Sequence, residues 1–243
     1  MQNQYDPRTT SRIDPAISVG VPSAARDAGL RSYMLKVYNY MASGVLLTGI
    51  VALLFANSGM AAQVMTTPLR WLVIFAPLGF VFAMSFGVNR MQTSTLQAMF
   101  WGFAATMGLS MSTIFLVYTG TSIAQTFFAV TGAFHGLSLY GYTTKKDLSG
   151  FGTFLVMGVV GLLIAMVINM FIQSTAMGFA ISAIGVLLFA GLTAYDTQKI
   201  KSLYANIAGS DMMGKAAIMS ALTLYLDFIN MFQFMLSFMG DRR

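Results

Sequence analysis

Seven long apolar stretches constrain the fold of this chain more than any other feature of its sequence. Each stretch is 17 to 24 residues long, and a helix needs about 20 apolar residues to cross a bilayer. Because a membrane offers the backbone no hydrogen-bonding partners, a spanning segment of this length has to be an α-helix. The sequence therefore predicts an all-α integral membrane protein with seven transmembrane helices, at about residues 37–56, 71–88, 98–118, 123–139, 151–172, 176–198 and 216–239.

The shortage of charged residues indicates that lipid is the main solvent of the folded chain. Only 9% of the 243 residues are charged and 56% are hydrophobic, whereas an average soluble domain has about 25% charged residues. The chain has no cysteine, which excludes disulfides, thiolate metal sites and a cysteine nucleophile. The net charge of +6 comes from residues scattered between the apolar runs, so we expect the bilayer as a partner and not nucleic acid.

The positions of the basic residues predict how the chain is oriented, because lysine and arginine accumulate in cytoplasmic loops. With seven spans and a cytoplasmic N-terminus, 11 of the 14 basic residues are cytoplasmic, and only Arg70, Arg242 and Arg243 lie outside with the C-terminus. We therefore expect residues 1–35 to form a flexible cytoplasmic tail, including a short surface helix from Ser23. A single transmembrane domain follows at residues 36–240.

Asp227 lies near the middle of the last predicted span, 12 residues before Met239. At 1.5 Å per residue its carboxylate is about 18 Å from the helix end, close to the membrane midplane. An ionisable residue at that depth costs about 2.5–3.5 kcal/mol and marks an ion or proton pathway by default, with a helix-packing hydrogen bond as the structural alternative. A polar stripe on the same helix face predicts that this helix is central and surrounded by the other six. The stripe consists of Ser220, Thr223, Asn230 and Ser237.

Asp196 closes the sixth apolar run and is followed one turn later by Lys199. Alone, it is typical of an interfacial charge that pairs with that lysine. If the helix continues to about Tyr204, however, Asp196 approaches the depth of Asp227. Two carboxyls in contact in a low dielectric cannot easily both ionise, so they would share one proton and titrate as a pair. The sequence therefore predicts a pH sensor and gate at these two aspartates.

Loss of the shared proton would separate the two carboxylates and leave an anionic constriction that attracts a divalent cation. Calcium takes about six to eight oxygen ligands, so the pair predicts a transient calcium site in a leak path and not a tight one. Calcium is then the permeant ion, and we expect no cofactor. The metal-binding candidates are Asp196 and Asp227, and the residues expected to line the path are Ser220, Thr223, Asn230 and Thr193.

Three other features have a structural and a functional interpretation. Arg90 follows the second span on the same side as Asp196, where it either latches a freed Asp196 or anchors the membrane edge. His135 is the sole histidine, and a lone imidazole has too few partners for a metal site. Gly132 and Gly136 form a small-xxx-small pair, which predicts close packing of the fourth span against another helix.

Three segments resemble the motifs of one membrane-protein family. They are YGYTTKKDLSGFG at 140–152, LTAYDTQKI at 192–200 and LYLDFINMF at 224–232. Through them, residues 30 to 240 are similar to the Bax inhibitor-1/YccA-like family. The resemblance implies seven helices with a central last helix and a pH-sensitive calcium leak controlled by Asp196 and Asp227. It also implies an arginine latch near the end of the second span, where Arg90 is the candidate. The short loops and the lack of an ER-retention tail favour the bacterial inner membrane as the location.

Two other functions stay open at this point. YccA-like proteins are also associated with restraining a membrane-anchored protease and with stress response, which would make the chain a non-conducting regulatory protein that binds through its tail, Met1 to Arg31. Tyr195-Asp196 also matches half of the signature of intramembrane aspartyl proteases. The other half, Gly-x-Gly-Asp, is replaced by the sequence LYLD at 224–227, so we expect no enzymatic activity.

Overall fold

The computed structural model describes residues 23–243, with side chains from Arg26 onward. Residues 23–35, predicted to belong to a flexible tail with a separate surface helix, instead begin one continuous helix that buries Tyr33 and Met34 in the core. Residues 1–22 of the predicted tail lie outside the described residues. The described part of the chain is helical: α1 (Ser23–Asn57), α2 (Met60–Met65), α3 (Leu69–Gly87), α4 (Thr93–Met111), α5 (Ile114–Val117), α6 (Gly120–Thr143), α7 (Ser149–Ile172), α8 (Thr175–Ile207) and α9 (Met213–Met239).

Within residues 23–243, six helical segments are long and apolar enough to cross a membrane. Five are single helices, α1, α3, α7, α8 and α9, and the sixth combines α4 with α5 over Thr93–Val117. The fourth predicted span lies in α6, whose 24 residues extend about 36 Å. Glycine, serine, threonine and His135 dilute the apolar character of α6, which places it outside these six. The chain is thus a multi-pass membrane protein whose described part is all-helical, and the seventh span stays a prediction.

The polar helix α9 is the most buried of the candidate spans. It packs against α8, α1, α6 and α4, which are four of the six helices predicted to surround it. α3 packs mainly against α4, and α7 packs mainly against α8. In the most apolar window of each helix, 50% of the α9 residues are buried, compared with 11% in α3 and in α7. The outer faces of α3 and α7 are apolar and exposed, as a lipid-facing surface requires.

Contacts between helix ends define two ends of the bundle. At one end, the beginnings of α1 and α9 meet the end of α8 through Tyr33, Ser220 and Tyr204. We call it the basic end, because Arg31 and the lysines at 145, 146, 199 and 201 lie at helix ends on this side. At the opposite end, the Arg243 N–H donates to the carbonyl oxygen of Val117 over 2.9 Å. The long helices therefore alternate in direction between these two ends.

Glycines permit the closest helix contacts. At Gly141 of α6, an added Cβ atom would collide with the carbonyl oxygen of Ala194 in α8. Around Gly132 and Gly136, an added Cβ would meet no described atom within 4 Å. The predicted close packing of another helix at Gly132 and Gly136 is therefore wrong within the described chain. The helix turns Phe134 and Ser138 towards the core, which leaves the two glycines on its exposed side.

Candidate functional site

The structure brings together the two aspartates that the sequence singled out. The carboxyl groups of Asp196 in α8 and Asp227 in α9 lie within hydrogen-bonding reach of each other. The two residues are only 8% and 4% exposed. One oxygen, Asp227 Oδ2, is fully buried and has no hydrogen-bond donor among the described residues. Two buried carboxyls with an unpartnered oxygen form the arrangement in which one shared proton is favoured over two charges.

The length of α8 gives Asp196 its depth. The helix continues 11 residues beyond Asp196 to Ile207, a rise of about 16 Å. Asp227 lies 14 residues from the start of α9 and 12 residues from its end. The condition under which the carboxyls could meet, a helix that continues to about Tyr204, is therefore fulfilled with three residues to spare.

Two buried threonines lie on either side of Asp196 in α8. Thr193 and Thr197 are completely buried. The Thr193 hydroxyl donates to the carbonyl oxygen of Phe189 over 2.8 Å, and the Thr197 hydroxyl donates to the carbonyl oxygen of Thr193 over 2.7 Å. Thr197 Oγ1 also lies 3.4 Å from Ser138 Oγ of α6. Both hydroxyl groups donate to backbone carbonyl oxygens, so neither threonine donates a hydrogen bond to the carboxyl pair.

Aromatic side chains close the bundle between the aspartates and the basic end. The Tyr33 hydroxyl lies 3.1 Å from Ser220 Oγ, and the rings of Tyr33 and Tyr204 are 5.4 Å apart between centroids. Ser220 precedes Asp227 by seven residues, so this layer lies about 10 Å nearer the basic end. Ser220 was predicted to line a path, and in this structure it is a buried member of the closing layer.

A partly polar cavity lies on the opposite side of the aspartates. It has a volume of about 470 Å³ and is lined by α7, α8 and α9. Asn230, one turn beyond Asp227, lies at this cavity, and Ser182 and Ser237 meet across it at 3.1 Å. Thr223, the remaining member of the predicted stripe, is half-buried and donates to the Met219 carbonyl oxygen of its own helix. The polar lining of the cavity is Asn169, Ser182, Asn230, Gln233 and Ser237.

The loop between α6 and α7 is fastened to α8 beside Asp196. Gln198 accepts a hydrogen bond from the Leu148 N–H over 2.9 Å and donates to the carbonyl oxygen of Lys146 over 2.8 Å. The ammonium group of Lys201 donates to the carbonyl oxygen of Tyr142 over 2.7 Å. Sequence reasoning missed both residues as parts of the site. Their signal was position, since Gln198 lies in the second motif two residues after Asp196 and Lys201 directly follows that motif.

Arg90 and His135 lie away from the carboxyl pair. Arg90 is exposed in the turn after α3, a helix that packs against α4 and not against α8. His135 is exposed on α6, with Nδ1 at 2.8 Å from the carbonyl oxygen of Thr131. A latch between Arg90 and Asp196 would thus need movement of the α3 end.

The aspartate pair alone offers too few ligands for a resident calcium ion. Among the described residues, no three histidine or acidic side chains come together as a metal-binding group. Asp196 and Asp227 offer at most four carboxylate oxygens, while calcium takes about six to eight ligands. A cation at this position would need water or backbone carbonyls for the rest of its shell.

Comparison with known proteins identifies the family of the chain. A family model described as "Inhibitor of apoptosis-promoting Bax1" matches residues 30–243. The chain belongs to this family. The "Inner membrane protein YbhL" of Escherichia coli K12 is 44% identical over 220 residues, covering 89% of this chain and 94% of YbhL. The "Uncharacterized protein RP147" of Rickettsia prowazekii is 49% identical over 219 residues, covering 89% and 92% of the two chains. The family expected from the three motifs is confirmed.

Proposed function

We propose that this member of the Bax inhibitor family is a pH-sensitive calcium leak of the bacterial inner membrane, gated by a proton shared between Asp196 and Asp227. The observation that carries the proposal is the buried contact between these two carboxyls, including an oxygen without a donor among the described residues. Ionisable groups buried at this depth are costly and mark ion or proton pathways by default.

The proposal includes seven spans, with α6 as the fourth and α9 at the centre. α6 is long enough to cross, and its polar residues are acceptable where they face the bundle or its cavities. The basic end is then cytoplasmic, because this orientation places 11 of the 14 basic residues inside. The relative YbhL carries the printed name of an inner membrane protein, which supports the same membrane for this chain.

In this account the structure is a closed state. The partly polar cavity on the outer side would admit water to Asn230, one turn from Asp227, while the layer of Tyr33, Tyr204 and Ser220 blocks the cytoplasmic side. A calcium ion entering from outside would meet the aspartates before it met the block. Opening therefore requires two changes, charge on the carboxyl pair and separation of the aromatic layer.

Proton loss supplies the first change. With the shared proton gone, two carboxylates in a low dielectric repel each other and push α8 from α9. The resulting negative site attracts a divalent cation, which binds transiently with too few ligands to be retained. Thr193, Thr223 and Asn230 would line the widened path, and Arg90 would stabilise the open state if the α3 end moved towards Asp196.

The protease alternative has less support from the site. An aspartyl protease has to admit a substrate backbone beside its second aspartate, where the glycines of its signature leave space. Leu224 and Leu226 fill the corresponding positions in this chain; Leu224 is completely buried and Leu226 is half-buried. The regulatory alternative rests on the tail, most of which lies outside the described residues.

Calcium flux into proteoliposomes tests the proposal. Wild type should conduct more as pH rises from about 5 to about 8, with a change of up to about tenfold per pH unit for a single-proton step. Asp196→Asn and Asp227→Asn should remove this dependence, because neither leaves a carboxyl pair. Asp211→Asn is the matched control, since Asp211 is exposed between α8 and α9. A wild type that conducts nothing at any pH would defeat the leak and favour the regulatory alternative.

A further inference from the structure

A large groove separates α1 from α6 on the side of the bundle away from α7. Both helices pack against α9, and the cavity left between them measures about 760 Å³. Its floor includes Phe134 and Ser138 of α6 and Phe228 of α9. Its rims carry exposed apolar side chains, among them Leu35 and Leu46 of α1. The groove is therefore an apolar channel open to the surrounding membrane.

The dimensions and the chemistry of the groove match part of a lipid. From Arg31 to Leu46 its α1 wall rises about 22 Å, close to one leaflet with its headgroup region. Arg31, at the basic end, is exposed and is the only lysine or arginine in the lining. The groove thus combines a cationic mouth with an apolar length directed towards the membrane centre.

The position of His135 supports the same occupant. Its ring is exposed on the groove wall, where α6 presents both apolar side chains and the hydroxyl-bearing Ser138 and Tyr142. One ring nitrogen, Nδ1, lies 2.8 Å from the Thr131 carbonyl oxygen, so Nε2 is the atom for which contact with hydrocarbon alone is unfavourable, because a polar group without a partner costs free energy. The glycerol and ester region of a phospholipid, or water carried with it, would place polar atoms below the headgroup.

We propose that the groove between α1 and α6 binds one anionic phospholipid, with an acyl chain along the groove and the phosphate at Arg31. Charge complementarity at the mouth selects an anionic headgroup over a zwitterionic one. The lipid would then line the outer side of the wall that holds Ser138, whose hydroxyl lies 3.4 Å from Thr197 next to Asp196. The site goes beyond the leak proposal and does not depend on it.

Native mass spectrometry of the delipidated full-length protein tests the site. The probes are phosphatidylglycerol and phosphatidylethanolamine with the same acyl chains, and glycerol 3-phosphate as a chainless anion. Wild type should bind phosphatidylglycerol about fivefold more tightly than phosphatidylethanolamine, the effect of one cation near a membrane surface. Glycerol 3-phosphate should not compete. Competition by it at the same concentration would reduce the site to a simple anion site and overturn the proposal.

Two kinds of variant separate the chain from the headgroup. Ala42→Trp, on the exposed groove wall, should weaken the binding of both phospholipids about tenfold or more, because the indole fills the groove. Ala83→Trp, on the exposed side of α3, should leave the affinity for both phospholipids unchanged. Leu46→Trp repeats the test deeper in the groove in case the first variant folds poorly. Arg31→Gln should abolish the preference for phosphatidylglycerol, and exposed Arg26→Gln should keep it. Equal lipid affinity of Ala42→Trp and Ala83→Trp would overturn the proposal. So would a preference for phosphatidylglycerol that survives in Arg31→Gln.

Discussion

The interface between α8 and α9, called the seam below, and the outer helices α3 and α7 differ in which residues they bury. The seam buries Asp196, Asp227 and several hydroxyls, whereas α3 and α7 bury few residues and expose large apolar side chains. In a soluble domain this distribution would be inverted, since water would solvate the charges and the core would be apolar. Here lipid is the poorer solvent for charge, so the protein interior carries the carboxylates. A carboxylate within a span of this fold therefore indicates the interior.

The strongest way to break this contrast is to place a charge on an outer helix. Val160, near the middle of α7, is 54% exposed, so Val160→Asp should cost about 2.5–3.5 kcal/mol of insertion free energy. The measurement is the fraction of α7 segments that insert into microsomal membranes, with Val160→Leu as the control. Equal insertion of both variants would show that α7 does not face lipid.

The contact between the seam and α6 can be tested at a single glycine. Gly141→Ala places a methyl group against the carbonyl oxygen of Ala194, so it should lower the free energy of unfolding by about 1–3 kcal/mol. Gly136→Ala adds the same methyl group where no described atom lies within 4 Å, and it should change stability by less than about 0.5 kcal/mol. The unfolding midpoints in detergent decide between them, and equal midpoints would contradict the close approach of α6 to α8.

A smaller effect is expected at the hydroxyl pair that joins α1, α4 and α9. Thr48 donates to the carbonyl oxygen of Ala104 over 2.8 Å, so the Tyr225 hydroxyl, at 2.6 Å, donates to Thr48. Thr48→Val should cost about 0.6–1.7 kcal/mol, the range for interhelical hydrogen bonds in membranes. Thr106→Val is the control, because its hydroxyl bonds only to carbonyls of its own helix. A control that costs as much would assign the loss to packing.

The smallest effect concerns a carboxyl that water solvates. Hydrogen bonds from the Ser149 side chain and N–H lower the pKa of exposed Asp147 below its ordinary value. Stability from these bonds is present above the ordinary pKa and is lost as pH falls through the lowered one. Ser149→Ala should raise this pKa towards its ordinary value in an NMR titration, while Ser202→Ala should not. An unchanged titration in Ser149→Ala would contradict the contact.

Much of the fold was predictable, because span length and the absence of charge are properties of sequence alone. The spans at 37–56 and 151–172, for example, lie within α1 and α7. The helix start at Ser23 was predicted, but its continuation into the first span was missed because Arg26, Asp27 and Arg31 gave this segment the composition of a tail. The burial of Tyr33 depends on Tyr204 and Ser220, far along the chain. Tertiary contacts of this kind leave no local pattern.

The site was predictable where depth could be counted and unpredictable where contacts decide. Asp227 followed from its position in a long apolar run, and Asp196 followed once the sixth helix was extended. The prediction of close packing at Gly132 and Gly136 was wrong, because the spacing of small residues does not show which side of a helix packs against its neighbours. Gln198 and Lys201 were missed because their partners are backbone carbonyls and N–H groups of a loop about 50 to 60 residues earlier.

Infrared spectroscopy of the carboxyl groups tests the shared proton most directly. Wild type in lipid should show one protonated carboxyl per chain in the closed state, and this signal should disappear over the pH range in which calcium flux rises. Asp196→Asn and Asp227→Asn should each alter the band, while Asp211→Asn should leave it unchanged. Two carboxylates that are both ionised throughout the closed range would contradict the shared-proton gate.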